Sequence, residues 1–98
     1  EEKTYLVKKL TVNPYKKISL QSHNTRAEYW VITKGKGKGT ISDEEFYAKE
    51  GSQFFIEKKA IHRIENDNNK PLVLIEVQLG EVISEEDIVR LKDNYGRS

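Results

Sequence analysis

Residues 15–35 read YKKISLQSHNTRAEYWVITKG, and residues 51–66 read GSQFFIEKKAIHRIEN. Each stretch is two short strand-like runs around a polar turn. In the first, residues 18–23 and 28–33 are the runs, the second carrying Tyr29, Trp30, Val31 and Ile32. In the second, residues 53–56 and 61–65 flank a polar loop with Glu57 and Lys59. Side chains on a strand alternate between faces, so Gln21 and His23 project together. A chain that doubles back at residues 24–27 returns the Glu28 carboxylate to the same face. His62, in a strand far along the sequence, can complete the set. Amide oxygen, imidazole, carboxylate and imidazole would bind a divalent metal with positions left open for substrate. A glutamine and two histidines hydrogen-bonded in or near a core would use the same residues, and composition leaves both readings open.

Working outward, Tyr5–Val12 alternates and is stopped by Asn13-Pro14. Residues 66–70 form a turn closed by Pro71, and residues 72–79 predict a buried strand interrupted only by Glu76 and Gln78. Short strands separated by turn signals argue an all-β sandwich or small barrel. The run Lys34-Gly35-Lys36-Gly37-Lys38-Gly39 lacks the Lys-Ser/Thr ending and following helix of a phosphate loop, and reads as a flexible hairpin with solvated lysines. Phe54, Phe55, Trp30 and the tyrosines read as core packing. The tail differs. Ser84-Glu85-Glu86-Asp87 resembles a capping box, Ile88, Val89 and Leu91 sit at helical spacing, and Asn94-Tyr95-Gly96 ends the element. A short C-terminal helix laid against the barrel is expected.

Ninety-eight residues allow a single domain over 1–98. The absence of cysteine excludes disulfides, thiol nucleophiles and thiolate metal sites. Seventeen Lys+Arg against sixteen Asp+Glu leave a net charge of +1, which does not indicate a nucleic-acid binder. No apolar run approaches the roughly 20 residues of a membrane-spanning helix, so no membrane partner is expected. The chain opens Glu1-Glu2 and contains no methionine, from which a piece cut from a longer protein is expected, and the resemblance described next makes it a C-terminal fragment.

The spacing of the two stretches resembles the paired cupin motifs, G-x5-H-x-H-x4-E-x6-G and G-x5-P-x-G-x2-H-x3-N. Gln21 takes the first His slot and Tyr15 the first Gly slot. His23, Glu28 and Gly35 are in register, as are Gly51, His62 and Asn66, while Glu57 and Lys59 replace Pro and Gly. Fifteen residues separate Gly35 from Gly51. The implied fold is a cupin double-stranded β-helix, a jelly-roll barrel. Five segments narrow the resemblance: Ser19-Leu20-Gln21-Ser22-His23, Arg26-Ala27-Glu28-Tyr29-Trp30, His62-Arg63-Ile64-Glu65-Asn66, the strand that follows Pro71, and the tail from Glu86 to Arg97. Together they are similar to the type II mannose-6-phosphate isomerase cupin, usually the C-terminal domain of bifunctional mannose-1-phosphate guanylyltransferase/mannose-6-phosphate isomerase.

That resemblance implies interconversion of mannose 6-phosphate and fructose 6-phosphate, in the supply of GDP-mannose for polysaccharide synthesis in a bacterial-type cytoplasm. It maps one divalent metal, zinc first and cobalt, manganese or nickel as alternatives, onto Gln21, His23, Glu28 and His62. Thr25 and Tyr29 stand where the family often has histidine, outside the ligand set. Glu76 is the candidate base, a carboxylate within an apolar strand. Lys8, Arg26, Arg90 and Arg97 are candidates for the substrate phosphate. A homodimer is expected, and an N-terminal guanylyltransferase domain in the parent chain. The competing function is a non-catalytic cupin, a binding or oligomerisation module of such a guanylyltransferase.

Overall fold

The structure, a computed structural model, describes residues 5–23 and 26–80 and the backbone of Val89–Arg90. The strands are β1 (Tyr5–Val12), β2 (Gln21–Ser22), β3 (Arg26–Lys34), β4 (Lys36–Ile41), β5 (Glu44–Lys49), β6 (Gln53–Ile56), β7 (His62–Glu65), β8 (Leu72–Gly80) and β9 (Val89–Arg90). They form two antiparallel sheets, ordered β1-β8-β3-β6 and β5-β4-β7-β2-β9. The architecture is the jelly-roll barrel that the cupin resemblance implied, within the sandwich-or-barrel class expected from the strand pattern.

Register sorts the interior into layers. On β3 and β8 the even-numbered residues face inward: Arg26, Glu28, Trp30 and Ile32 on one, Leu72, Leu74, Glu76 and Gln78 on the other. Val12 pairs with Leu72, and Leu74 with Leu10 and Ile32, which makes one end of the barrel apolar. The next layer sets Lys8, Glu76, Trp30 and Phe54 side by side, and the one after it Gln78, Glu28 and Ile56. Hydrophobic burial therefore closes one end, with each buried Leu or Ile worth about 1.5–3 kcal/mol. Charge lines the other. Trp30 is the boundary.

Several local expectations are corrected. From Lys36 onward the Lys-Gly run is strand β4, hydrogen-bonded to both β5 and β7. Both its glycines face inward, and at Gly37 there is no room for more: a Cβ there would lie 2.2 Å from the Glu65 carbonyl oxygen. Lysine still points outward, Lys38 Nζ lying 3.8 Å from Glu45. Phe54 packs against the core, but Phe55 (52 % exposed), Tyr5, Tyr29 and Tyr47 lie outside, since consecutive strand residues cannot share a face. Tyr5, Tyr29 and Phe55, with Val7 and Leu79, give the four-stranded sheet an apolar outer surface. Val89 and Arg90, assigned above to a helix, pair as a strand with Ser22 and Gln21. The edge of β2 offers backbone partners that local helical spacing does not reveal. The remainder of that predicted helix lies outside the described residues. Among the described residues no helix is long and apolar enough to cross a membrane.

Candidate metal centre

Glu28 lies on β3 two residues before Trp30, on the same inward face, and the Trp30 indole N–H donates to Glu28 Oε1 at 3.0 Å. His62 opens β7 directly across from Gln21. Its Nδ1 lies 3.0 Å from the Ala60 carbonyl oxygen, which can only accept, so Nδ1 carries the proton and Nε2 keeps its lone pair. That Nε2 stands 3.7 Å from Glu28 Oε1. His23 follows β2, its carbonyl held by the Lys59 N–H at 2.6 Å, and its Nε2 is 3.1 Å from Glu28 Oε2. His23, Glu28 and His62 are 2 %, 2 % and 4 % exposed. One ligand atom from each lies within 4.8 Å of the others.

These donors fit a divalent cation. Two ligands about 2.1 Å from a tetrahedral ion stand about 3.4 Å apart, and the 3.1 and 3.7 Å separations bracket that value. The protonation states fit as well. Burial by itself would raise Glu28, but the adjacent His23 and His62 and the Trp30 N–H outweigh it and hold the carboxyl at about 2. His62 is shifted down, first by burial and further by His23 and Arg26, against the Ala60 hydrogen bond and the Glu28 charge. An ionised carboxylate and a neutral imidazole are the metal-binding forms.

Gln21 lines the same cavity, its amide nitrogen donating to Ser19 O at 3.2 Å and Ser19 Oγ at 3.1 Å. The amide oxygen is its atom suited to a cation. The cavity, about 330 Å³, is also lined by Lys8, Arg26, Glu28, Trp30, His62 and Glu76. Glu76 is 6 % exposed, held by a hydrogen bond from Gln78 and paired in register with Lys8. Burial, then the charge of Glu28, raises its carboxyl above the ordinary value, partly offset by Gln78, Lys8 and Arg26. Arg26 is buried against His23 and Glu28. The backbone of Arg90 pairs with Gln21; its side chain and Arg97 lie outside the described residues, as does Thr25. Tyr29 is 40 % exposed and bonds Gln53 on the outer face, away from the cavity.

Sequence reasoning missed three supports. Trp30 orients Glu28, and Gln78 orients Glu76; in both pairs a spacing of two on one strand was the available signal. Asn66 was placed in the second motif without a role. It is fully buried, donates to Val12 O at 2.9 Å and Lys70 O at 2.7 Å, and accepts from the Asn68 N–H at 2.9 Å. It thereby ties the end of β1 to the β7–β8 turn.

The family model described as mannose-6-phosphate isomerase C-terminal matches residues 1–93. The chain belongs to that family. It is 42 % identical over 94 residues to the xanthan biosynthesis protein XanB of Xanthomonas campestris pv. campestris (strain B100), covering 96 % of this chain and 20 % of that protein. It is also 42 % identical over 91 residues to a mannose-1-phosphate guanylyltransferase of Klebsiella pneumoniae, covering 93 % and 19 %. The chain thus spans about a fifth of the length of the curated relatives it matches. Among solved structures, a Klebsiella pneumoniae protein with a double-stranded β-helix domain superposes with a TM-score of 0.80 at 13 % identity, covering 92 % of this chain and 76 % of that one. The family and the cupin fold agree with the motif reading.

Proposed function

We propose that this domain interconverts mannose 6-phosphate and fructose 6-phosphate at one divalent ion held by Gln21, His23, Glu28 and His62. Zinc is the first choice and cobalt, manganese or nickel the alternatives. The observation that carries the reading is the buried His23–Glu28–His62 cluster opening into a cavity that also holds a carboxyl of raised pKa. Family membership supplies the substrate class. A bound divalent ion would polarise the oxygens on C1 and C2 of the sugar. Glu76, once ionised, takes the proton from C2 and returns it to C1 through an enediol while the hydroxyl proton passes from O2 to O1, its raised pKa making it a stronger base than an exposed carboxylate. Trp30 holds Glu28 in place, and the apolar layer behind it excludes water. Lys8 and Arg26 offer cations to the phosphate from within the cavity, and Arg90 and Arg97 from the tail.

The proposal extends to the setting: a cytoplasmic domain of a longer guanylyltransferase chain, serving GDP-mannose and polysaccharide synthesis, and forming a homodimer. The names of the relatives and the apolar outer face of the β1-β8-β3-β6 sheet support those parts. The same names favour a second reading, a non-catalytic module of the guanylyltransferase. Turnover of mannose 6-phosphate separates the two. It is expected to vanish on chelation, return with zinc, cobalt or manganese, and fall at least about a hundredfold in Glu76→Gln, in the range of a lost general base. His62→Ala is expected to abolish it. A folded, metal-loaded chain without turnover would support the non-catalytic module.

A further inference from the structure

We infer that Arg26 is a competing cation built into the metal centre and must be displaced before a divalent ion can bind. The inference rests on the metal-site reading above. Arg26 Nη2 lies 3.1 Å from His23 Nε2 and 3.2 Å from Glu28 Oε2, and Nε lies 3.2 Å from the same oxygen. A guanidinium only donates, so it engages the very lone pairs a metal would use. An ion coordinated by those two atoms would also stand within a few ångströms of the guanidinium charge in a water-poor interior, where like charges repel strongly.

The second observation is how Arg26 is held. It is 5 % exposed, yet its Nη1 is buried without a hydrogen-bond partner. Its hydrogen bonds among the described residues go to His23 and Glu28 alone. No backbone carbonyl among the described residues fixes the fork in this position. The side chain lines the 330 Å³ cavity and so has space to turn into it. Displacement also reconciles two roles, since a guanidinium bound to the metal ligands becomes available to an anion only after the metal has entered.

The test is titration of metal-free protein with zinc and with manganese, comparing wild type, Arg26→Gln and Arg26→Lys by calorimetry. Removing the charge-assisted hydrogen bonds that the ion must otherwise break should tighten metal binding roughly tenfold to a hundredfold in Arg26→Gln. Arg26→Lys, which keeps the charge but lacks the fork, should fall between. A direct readout is the 15N–1H signal of Arg26 Nε, assigned by its loss in Arg26→Lys. It should be protected without metal and exchange with water on zinc addition. Equal affinity in all three proteins, or an Nε signal that zinc does not move, would overturn the inference and leave the metal site standing. Wild type that binds neither metal would overturn both. Arg26→Gln that folds only with zinc supports the inference; a variant that stays unfolded with zinc, beside Arg26→Lys of wild-type affinity, makes Arg26 structural and overturns it.

Discussion

Glu76 sits on β8 between Leu74 and Gln78 on the inward face, with Lys8 across from it on β1 and Trp30 on β3. The charged groups acting on it are Glu28 and Arg26 from β3 and Lys8 from β1. Burial first and Glu28 second raise its carboxyl from the ordinary 4.5. A raised carboxyl holds its proton in the folded protein where the unfolded chain has lost it. Its contribution to stability is therefore full below pH 4.5 and lost as pH rises through the folded value. Glu28 has the opposite sign, its contribution present above 4.5 and lost as pH falls toward 2. Glu76→Gln stays neutral and keeps a polar partner for Gln78. It should be more stable than wild type at pH 8, with the difference closing by about pH 4, in urea unfolding followed across that range. A difference independent of pH would place the gain in packing instead. Alternation in the sequence put Glu76 in line with Leu72 and Leu74. It could not say whether Lys8 or Arg would draw it out to water, because that depends on strands far apart in the chain.

Four loop positions show how the elements keep their geometry when residues change. Tyr15, Gly35, Gly51 and Lys59 have φ of 61°, 84°, 89° and 70°. They are the four glycine slots of the two motifs, two of them no longer glycine. Both substituted residues are exposed, so their side chains gain little from packing there. Tyr15→Gly and Lys59→Gly should each raise stability by roughly 0.5–1 kcal/mol, the relief of left-handed strain less the added freedom of the unfolded chain. Thermal unfolding of the single variants checks this; no gain would mean that the loops have relaxed around their side chains. On β4 the expectation divides between neighbouring glycines. Gly37→Ala drives a Cβ onto the Glu65 carbonyl and should cost about 2 kcal/mol or more, whereas a Cβ on Gly39 meets Ile64 Cδ1 at 3.8 Å, an ordinary contact. Gly39→Ala should be tolerated within about 0.5 kcal/mol. The spacing of the motifs made the turns legible. The strand character of Lys36–Ile41 was hidden, because alternating glycine and lysine have low strand propensity and only the approach of β7 and Leu72 explains Gly37.

At the scale of the molecule the barrel has an apolar end that supplies stability and a charged end that spends some of it. Strand parity made each inward face legible, and the motif spacing brought Gln21, His23, Glu28 and His62 into one set. The closure of one sheet over the other was legible only through the resemblance, since nothing local says that Glu28 and His62, 34 positions apart, come within 3.7 Å. Packing a carboxylate, two imidazoles and a guanidinium into one buried cluster costs desolvation that an ion binding only the folded state would offset. At a hundredfold excess of metal over its dissociation constant the linkage is about 2.7 kcal/mol. For a domain of this length that is a rise in Tm of roughly 10–20 °C. Calorimetric scans with chelator and with saturating zinc should show it in wild type, and His62→Ala should lose most of the increment while still folding. An increment that survives in His62→Ala would mean that zinc is held elsewhere on the surface, because no ion bound through this cluster could be indifferent to losing one of its two imidazoles.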